Sequence, residues 1–525
     1  MSQVNWYICV NIPKVMNLSI DKRSEEPVYE QIRRQIVELV QSGLLEAGSR
    51  IPSVRQLALS LGISKNTAAL AYDELAAERI IETRRGSGTF VCENPELVMG
   101  VDLSRRQEMM PDLGEFPPMR WEPYYFRTDF FRMPLSKRSG EMIRFTQAYP
   151  DPALFPFDRI KQVATNMLWY PREFFFDIGN PQGYQPLVEH LEKEMALAGV
   201  PMAEGENDII LTGGFQRAVS LLLDFILQPG QKVAIESPSY SNLLNLLIAK
   251  RIDFVPVPID GQGMDTEFLA GVLTRGEAQA IITTPTFHNP TGVTMSQERR
   301  EHLLRLSMQH RIPVIEDDWG RLLRYEGSDI PPLKALDRGG YVIHTGSYSK
   351  CFLPGLRIGW ITCPAAISFT LVRAKSAADC SDSFFLQALL YDFIQKGHFD
   401  RHIRKLRKEY RHRRDLMCNA LAGHLPAACR FRVPQGGLSV WIELPEGMSS
   451  LALLTLARQA GVDFSPAAFM MPERRDAPAL RLSFARNLPQ DIEVGVNILC
   501  SVIADCIDQP ELLSGLSAGY EDLYR

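Results

Sequence analysis

A lysine with two serines before it and an arginine after it lies in residues 346–360, GSYSKCFLPGLRIGW. Lys350 follows Ser347 and Ser349, and Arg357 comes seven residues after the lysine. A lysine amine can form a Schiff base with an aldehyde, and a serine hydroxyl with an arginine can hold a dianionic phosphate. These groups are the ones needed to hold pyridoxal 5'-phosphate (PLP) covalently and by its phosphate. A surface lysine in a Ser/Gly loop is the alternative, and S-x-x-K alone does not decide between them.

The region around this lysine alternates helical stretches with short apolar runs. The runs are DIILT, KVAIE, DFVPV, QAIITT, VIED and YVIHTGS. This alternation predicts an α/β domain with a mostly parallel sheet covered by helices. Because functional residues in such sheets lie at the carboxyl ends of the strands, the partners of Lys350 are expected where these runs end.

Three of these runs are followed by residues that suit a phosphorylated ring. After DIILT, a glycine pair opens a helix whose backbone N–H groups can bind an anion. The residues there are Gly213, Gly214, Phe215 and Gln216. Tyr240, after KVAIE, can stack on a planar ring, and Asn289, in a turn after QAIITT, can meet a phenolic oxygen. Each signal is weak alone, and a lone tyrosine is more often a core residue.

A pair of carboxylates, Asp317 and Asp318, ends the run VIED. A buried carboxylate is costly unless a cation pairs with it, and a protonated pyridine nitrogen would be such a cation. A metal site or a solvated turn is the alternative, and the nearby sequence favours neither. Arg481, in ALRLSFAR, is suited to grip a carboxylate at two points, although alone it would be an ordinary surface arginine.

The first part of the chain has the pattern of a small DNA-binding fold. VYEQIRRQIVELV predicts one helix, and Ser53 and Ser64 are the predicted N-caps of two more. The second helix has apolar positions at Leu57, Leu59 and Leu61, and the third has a core face of Ala68, Ala71, Tyr72 and Leu75. RRGSGTFV predicts a short hairpin with a glycine turn. Helices joined at a glycine and followed by a basic hairpin make a winged helix-turn-helix.

Residues 27–91 resemble a GntR-type winged helix, including P-S-x-R at 52–55 and the wing RRGSGTFV. The resemblance implies that seven residues approach double-stranded DNA. They are Arg55, Ser64, Lys65, Asn66, Thr67, Arg85 and Gly88. Relatives often carry a basic residue where this chain has Ala69. Part of the contact with DNA bases is therefore expected to differ from that of the relatives. A small helical domain that binds protein is the alternative.

The order of the later motifs resembles the fold-type I aminotransferases of class I/II. That order is G-G-x-Q, P-S-Y, N-P-T-G, an aspartate at a strand end, S-x-x-K with a following arginine, and R-L-S-F. With the winged helix in front, the whole chain resembles the MocR subfamily of GntR regulators. The resemblance implies an N-terminal winged helix-turn-helix, then an α/β PLP-dependent transferase fold of type I with a smaller C-terminal α+β subdomain.

The same resemblance implies a role for each site residue. Lys350 would carry PLP as an internal aldimine, and Asp317 would pair with the pyridine nitrogen; these are the expected catalytic residues. Asn289 would meet the ring hydroxyl, and Tyr240 would lie against the ring. The phosphate would be held by Gly214, Phe215, Gln216, Ser347 and Arg357, with Ser349 beside them. Arg481 would bind the carboxylate of the effector.

Two positions depart from the family's pattern. The tyrosine that usually follows the aspartate pair is Trp319 here, and an indole N–H can donate to the ring oxygen but cannot ionise. A tyrosine that reaches the neighbouring subunit's phosphate is often found where Ile178 stands, with Phe174 to Phe176 upstream. Both changes leave PLP binding in place and disfavour efficient transamination.

Length and composition bound the class of protein. The 525 residues, 45% hydrophobic and 23% charged, predict a soluble protein of two or three domains. A net charge of −5 gives no general attraction to DNA, so any contact needs a local basic patch. The nine cysteines include no C-x-x-C pair, which argues against zinc and disulfides and fits a reducing cytosol. No signal peptide or membrane-spanning run is evident, and a cytoplasmic location is expected.

Five segments are predicted. They are an extension (1–20), the winged helix (21–92), a linker rich in Pro, Arg and Met (93–140), the aminotransferase-like domain (141–508) and a tail (509–525).

The sequence favours a PLP-dependent, DNA-binding transcription regulator that senses an amino acid or amine through an aldimine at Lys350. The alternatives are an active class I/II aminotransferase with an accessory DNA-binding domain, and a domain that has lost PLP and only dimerises. By resemblance, the regulator is a head-to-tail homodimer with each winged helix over the partner's large domain, and any transaminase chemistry is weak. A cavity near Arg321 and Arg324 is a candidate for selecting an acidic or sulfonated effector.

Overall fold

The computed structural model describes residues 18–21, 24, 26–84, 87–92, 142–514 and 516. The predicted linker and most of the predicted extension lie outside these residues. Internal contacts divide the chain into two units, Met1–Tyr125 and Phe126–Arg525.

The described part of the first unit is a winged helix-turn-helix, as predicted. Its helices are α1 (Val28–Gln41), α2 (Val54–Leu61) and α3 (Lys65–Ala77). Its strands are β1 (Arg50–Ile51), β2 (Ile81–Arg84) and β3 (Gly88–Val91), which form an antiparallel sheet in the order β1-β3-β2. The short strand β1 was not foreseen, because a run of two residues has no readable periodicity.

The predicted caps of this unit are confirmed. The Ser53 hydroxyl accepts from the Gln56 backbone N–H, and the Gln56 side chain accepts from the Ser53 N–H at 2.9 Å, which completes a capping box. Ser64 caps α3 by accepting from the Thr67 N–H at 3.0 Å. The four predicted core residues of α3 are all buried. The prediction that Leu59 belongs to the core face of α2 is wrong. Its side chain is 75% exposed, because α2 packs through the neighbouring residues Leu57 and Ala58.

An eight-stranded sheet forms the centre of the second unit. Its strands are β5 (Asn207–Thr212), β6 (Lys232–Ser237), β7 (Asp253–Asp260), β8 (Gly263–Met264), β9 (Ala280–Thr283), β10 (Val314–Asp317), β11 (Val342–Ser347) and β12 (Gly359–Pro364), in the order β5-β12-β11-β10-β9-β6-β7-β8. All six predicted runs are therefore strands. They run in one direction, while β12 and β8 are antiparallel to their neighbours.

Helices cover this sheet. They are α4 (Phe157–Met167), α5 (Arg172–Phe176), α6 (Gln185–Leu197), α7 (Phe215–Ile226), α8 (Ser241–Ala249), α9 (Thr266–Thr274), α10 (Gln297–His310), α11 (Leu333–Leu336), α12 (Ala365–Asp379), α13 (Phe384–Gln395) and α14 (His398–His424). The 27 residues of α14 lead into the last part of the chain. No helix in the described residues is long and apolar enough to cross a membrane.

The last part of the chain forms the smaller α+β subdomain that was predicted. Strands β13 (Arg430–Phe431), β14 (Ser439–Glu443), β16 (Ser465–Pro466) and β17 (Ala479–Ser483) make a sheet in the order β13-β14-β17-β16. Helix α15 (Ser450–Gln459) packs with it, and α16 (Pro489–Asp508) packs with α14 and α15. Strand β15 (Val462–Asp463) pairs with β4 (Ile143–Arg144), so this early strand of the second unit lies beside the small subdomain.

Candidate functional site

The carboxyl ends of the parallel strands gather the predicted site residues. Asp317 ends β10 and Ser347 ends β11, while Gly214 follows β5 as the N-cap of α7. Strands β10 and β11 are adjacent, and Lys350 comes three residues after Ser347. The sheet therefore brings together chain segments that are far apart in sequence, as the rule for open α/β sheets predicts.

The Lys350 amine has few ordinary partners. Its Nζ donates to the backbone carbonyl of Ala148 at 3.0 Å and lies 4.2 Å from the ring centroid of Tyr149. Burial lowers the pKa of Lys350 to about 8; the charge of Arg481 acts in the same direction, and that of Asp317 opposes it. A larger fraction of this amine is thus neutral near neutral pH than for an ordinary lysine. Sequence reasoning missed Ala148 and Tyr149, because they lie about 200 residues before the lysine.

Asp317 is a buried carboxyl whose charge is incompletely compensated. Burial raises its pKa well above the usual value, and the charges of Asp318 and Glu236 add to this effect. Lys350 and a hydrogen bond from the Trp319 backbone N–H act in the opposite direction. A cation close to Asp317 would therefore be held strongly.

Asp318 belongs to a different arrangement. Its Oδ2 lies 3.2 Å from Nε2 of His344 on β11 and 3.6 Å from Nε of Arg321. Within the described residues, no group of three or more His, Cys, Asp or Glu side chains could hold a metal ion. The two adjacent aspartates thus have different neighbours and are not one carboxylate cluster.

Arg481 lies inside the site and is not an ordinary surface arginine. Its Nη1 donates to Oδ1 of Asn289 at 2.9 Å, and its Nη2 donates to Oγ of Ser465 at 3.2 Å and to the Thr146 carbonyl at 3.3 Å. Its Nε is buried and has no hydrogen-bond partner among the described residues. The predicted residues Arg481 and Asn289, which are 192 positions apart, are therefore in contact.

Arg357 lies close against Gly214, where a phosphate cradle was predicted. A Cβ built on Gly214 would lie 2.8 Å from Nη2 of Arg357, and Gly214 has a φ of +88°. Nη1 of Arg357 donates to the Ser349 hydroxyl at 3.3 Å, and the Ser349 N–H donates to the Ser347 hydroxyl at 3.2 Å. Both serines are buried. Phe215 and Gln216 follow as the first residues of α7, so their backbone N–H groups are not used within the helix.

Tyr240 is the N-cap residue of α8 and belongs to the same site. Its hydroxyl accepts from Nδ2 of Asn242 at 2.7 Å. Burial raises the pKa of Tyr240 to about 12, and the charges of Arg481 and Asp317 also act on this hydroxyl.

Four residues singled out in the sequence lie elsewhere. The indole of Trp319 lines a separate cavity with Asp318, and its buried Nε1 has no partner in the described part of the chain. Ile178 is 75% exposed. Arg321 and Arg324 line a cavity of about 410 Å³ whose lining does not include Lys350 or Arg481. A cavity is thus present near these two arginines, as expected, and its selection of an acidic or sulfonated effector stays a prediction.

The predicted DNA-contacting residues lie at the surface of the first unit. Arg55, Ser64, Lys65 and Asn66 are exposed, Thr67 and Gly88 are half-buried, and Arg85 lies outside the described residues. Sequence reasoning missed Arg50, an exposed residue on β1. A Cβ on Gly88 would lie 2.8 Å from its Nε, so Arg50 contacts the wing and adds a positive charge there.

Comparisons with known proteins agree with this architecture. The aminotransferase class I and II family matches residues 152–499, and the gntR family of bacterial regulatory proteins matches residues 28–91. YdfD, an uncharacterized HTH-type transcriptional regulator of Bacillus subtilis, is 30% identical over 90% of this chain and 96% of its own length. MocR of Rhizobium meliloti, a probable rhizopine catabolism regulatory protein, is 28% identical over 92% of this chain and 95% of its own.

A solved structure agrees with the fold of the second unit. The kynurenine aminotransferase of Pyrococcus horikoshii, crystallised in complex with PMP, superposes with a TM-score of 0.66 at 32% identity. The match covers 70% of this chain and 92% of that one.

Fold and site together define a DNA-binding regulator with an aminotransferase-type domain. The chain belongs to the MocR subfamily of GntR-type transcriptional regulators, and its second unit belongs to the aminotransferase class I and II family. The resemblance noted in the sequence is thereby confirmed. Membership of the aminotransferase family implies PLP as the cofactor.

The residues present fit this cofactor. Arg357, Ser349 and the cradle at Gly214 offer cationic and neutral donors suited to a phosphate. Asp317 lacks a full cationic partner, as expected of a carboxyl that awaits a pyridinium. The unpartnered Nε of Arg481 leaves a donor for a carboxylate.

Proposed function

We propose that this regulator senses a primary amine, most simply an amino acid, through Lys350 and PLP. The observation that carries the proposal is that Asp317 ends β10 and Lys350 follows the adjacent β11, where the charges of Arg481 and Asp317 both act on the Lys350 amine. PLP, when bound, supplies an aldehyde that condenses with primary amines and a ring that withdraws electrons.

Each of these residues has a defined task. Lys350, with its lowered pKa, supplies a neutral amine that holds the cofactor and that a second amine can displace. Asp317 would hold the ring nitrogen, and Arg357 with Ser349 would hold the phosphate. Arg481 grips the carboxylate of an amino acid by exchanging its bond to Asn289 for one to the ligand.

Release of the Lys350 amine would provide the signal. Release of this amine and engagement of Arg481 by a ligand would change the contacts that these two residues make to Ala148 and Asn289. A ligand shifts a conformational equilibrium only through contacts that differ between two states, and these contacts differ. The two states are proposed to differ in their affinity for DNA.

A DNA-binding assay tests the proposal. The full-length protein selects its own DNA from a pool of genomic fragments, and fluorescence anisotropy then follows binding while amino acids and amines are added. We expect one compound to change the affinity of the wild-type protein and of Lys408→Ala, an exposed control on α14. Lys350→Ala is expected to bind DNA without responding. A Lys350→Ala protein that still responds contradicts the proposal.

We propose further that the protein acts as a homodimer, with the head-to-tail arrangement of its family. An apolar face at residues 168–178 supports this. Trp169 is 86% exposed, Phe176 is 85% exposed and Ile178 is 75% exposed in the single chain. Exposed apolar residues clustered in this way mark interaction surfaces in ordinary globular proteins.

A further inference from the structure

A second cavity lies behind the strand ends and shares Ser347 with the residues assigned to the cofactor. It has a volume of about 330 Å³ and is bounded by Asp318, Trp319 and His344. Lys350 and Arg481 are not among its lining residues. Small-molecule sites in proteins have volumes of about 300 to 1,000 Å³, so this cavity is large enough for a small metabolite.

The floor of this cavity is aromatic. The rings of Tyr348 and Trp360 have centroids 5.2 Å apart, and those of Tyr348 and Phe399 lie 5.4 Å apart, edge to face. Leu191 and Met195 of α6 complete the apolar wall. Such a surface suits an apolar or aromatic side chain.

Residues of the cavity also carry polar atoms without partners. Oδ1 of Asp318, Nδ1 of His344 and Nε1 of Trp319 and Trp360 are buried, and none has a hydrogen-bond partner among the described residues. Buried polar groups are rarely left unpaired, and each one costs free energy. The four atoms themselves are closed to solvent, so the polar contacts of an occupant must come from the charged rim of the cavity.

The rim carries unpaired charges of both signs. Arg404 and Arg407 on α14 have no carboxylate partner in the described part of the chain, and only Nε of Arg407 is used, in a bond to the Leu322 carbonyl at 2.6 Å. Glu194 on α6 and Asp400 on α14 face them, likewise without a cationic partner among the described residues.

The remaining charged groups of the rim do not neutralise this pattern. Arg321 is engaged by Asp318 at 3.6 Å and by Asp329 at 3.2 Å. Burial lowers the pKa of His190, which keeps this imidazole neutral at neutral pH, although Glu194 and Asp400 lie close enough to act on it. Among the described residues, two cations and two anions around the aromatic floor are thus left without an ionic partner.

We propose that this cavity binds a free amino acid with an apolar or aromatic side chain, without covalent chemistry. The carboxylate lies at Arg404 and Arg407, the ammonium lies at Glu194 and Asp400, and the side chain lies on the aromatic floor. A rim with both signs of charge favours a zwitterion over an ion of one sign. The site does not use Lys350, so the inference is independent of the proposed function.

This site adjoins the cofactor site through the chain itself. Asp318 follows Asp317 directly and is one of the charges that act on it.

Equilibrium dialysis of radiolabelled L-phenylalanine tests the inference. The full-length Lys350→Ala protein is used without PLP, so that covalent capture is absent. We expect saturable binding that Arg404→Ala and Glu194→Gln each weaken by about fivefold or more. Lys408→Ala, an exposed change on the same helix and outside the cavity, is expected to leave the binding unchanged. Unlabelled 3-phenylpropionate and phenethylamine, which each lack one charge, are expected to compete about tenfold less well than L-phenylalanine.

Four results would overturn it. The first is the absence of saturable binding, and the second is binding that Arg404→Ala and Glu194→Gln leave intact. The third is that 3-phenylpropionate competes as well as L-phenylalanine. The fourth is that Arg481→Lys abolishes the binding while Arg404→Ala leaves it unchanged. The last result places the amino acid at the cofactor site. Arg404 is exposed, so its variant is expected to fold.

Discussion

The charge state of single side chains explains why Lys350, among the lysines of this chain, is suited to react with an aldehyde. Burial and the positive charge of Arg481 both lower its pKa, while the nearby Asp317 limits the shift. The same burial raises the pKa of Asp317. One enclosed site therefore prepares a neutral amine and a carboxyl that needs a cation, which are the two groups that a pyridoxal ring engages.

The pH dependence of PLP uptake follows from this shift. The neutral amine is the nucleophile, and it predominates above the pKa, so uptake by apo-protein is expected to rise as pH increases through about 8. Stopped-flow absorbance from about pH 6 to about pH 10 measures this rate. Arg481→Gln removes a positive charge, which favours the protonated amine and moves the midpoint to higher pH. A midpoint near that of free lysine, about 10.4, would contradict the account.

The close approach of Gly214 to Arg357 predicts that a larger side chain at this position weakens phosphate binding. Alanine there adds a Cβ 2.8 Å from Nη2 of Arg357 and strains a backbone with φ +88°. We expect Gly214→Ala to raise the dissociation constant for PLP by about tenfold or more, measured by equilibrium titration. Gly205→Ala is the matched control, because Gly205 has a φ of +82° but no atom within 4 Å of its Cβ position. An equal effect of both changes would mean that strain, and not the contact with Arg357, is responsible.

Among the elements, the short helix α5 and the segments beside it carry the exposed apolar face. Because Phe176 is 85% exposed, Phe176→Asp is expected to leave the fold of the chain intact while it weakens the proposed dimer. Light scattering at several protein concentrations measures the mass: two chains for the wild type and one for the variant. Leu197→Asp, an equally exposed change on α6, is expected to keep the wild-type mass. A wild-type mass of one chain at all concentrations would contradict the dimer.

Some of the helices and strands could be predicted from the sequence and others could not. The central strands could be predicted because buried parallel strands are continuous apolar runs, and the caps could be predicted because Ser53 and Ser64 act on residues three positions away. Strand β12 was missed, since its residues overlap the end of the cofactor motif and its antiparallel direction depends on its neighbours.

Contacts within the site were predictable only in part. The order of the motifs predicted that Lys350, Asp317 and Arg481 share one site. The spacing along the chain could not show that Arg481 contacts Asn289. It could not show the pairing of Asp318 with His344 across β10 and β11 either. The direction of the Trp319 indole depends on packing around the whole cavity, and no local signal reports that.

In the whole molecule, a net charge of −5 means that DNA binding depends on a local patch of the first unit. Lys65 is exposed at the start of α3 and is expected to contact phosphate. Lys65→Ala should weaken binding to a mixed-sequence duplex and reduce the slope of log affinity against log salt by about 1. Fluorescence anisotropy over a salt series measures this slope. Arg34→Ala, on α1 and paired with Glu26 and Glu38, is the control; an equal loss in both variants would argue against a specific contact at Lys65.

The most direct test of the account is an absorption spectrum of the full-length protein with PLP, recorded for the wild type and for Lys350→Ala while amino acids and amines are added. The account predicts a band of protein-bound cofactor in the wild type, its absence in the variant, and a shift of that band with one compound or one closely related group. Identical spectra for the two proteins, or a wild-type band that no amine changes, would contradict a sensor built on Lys350.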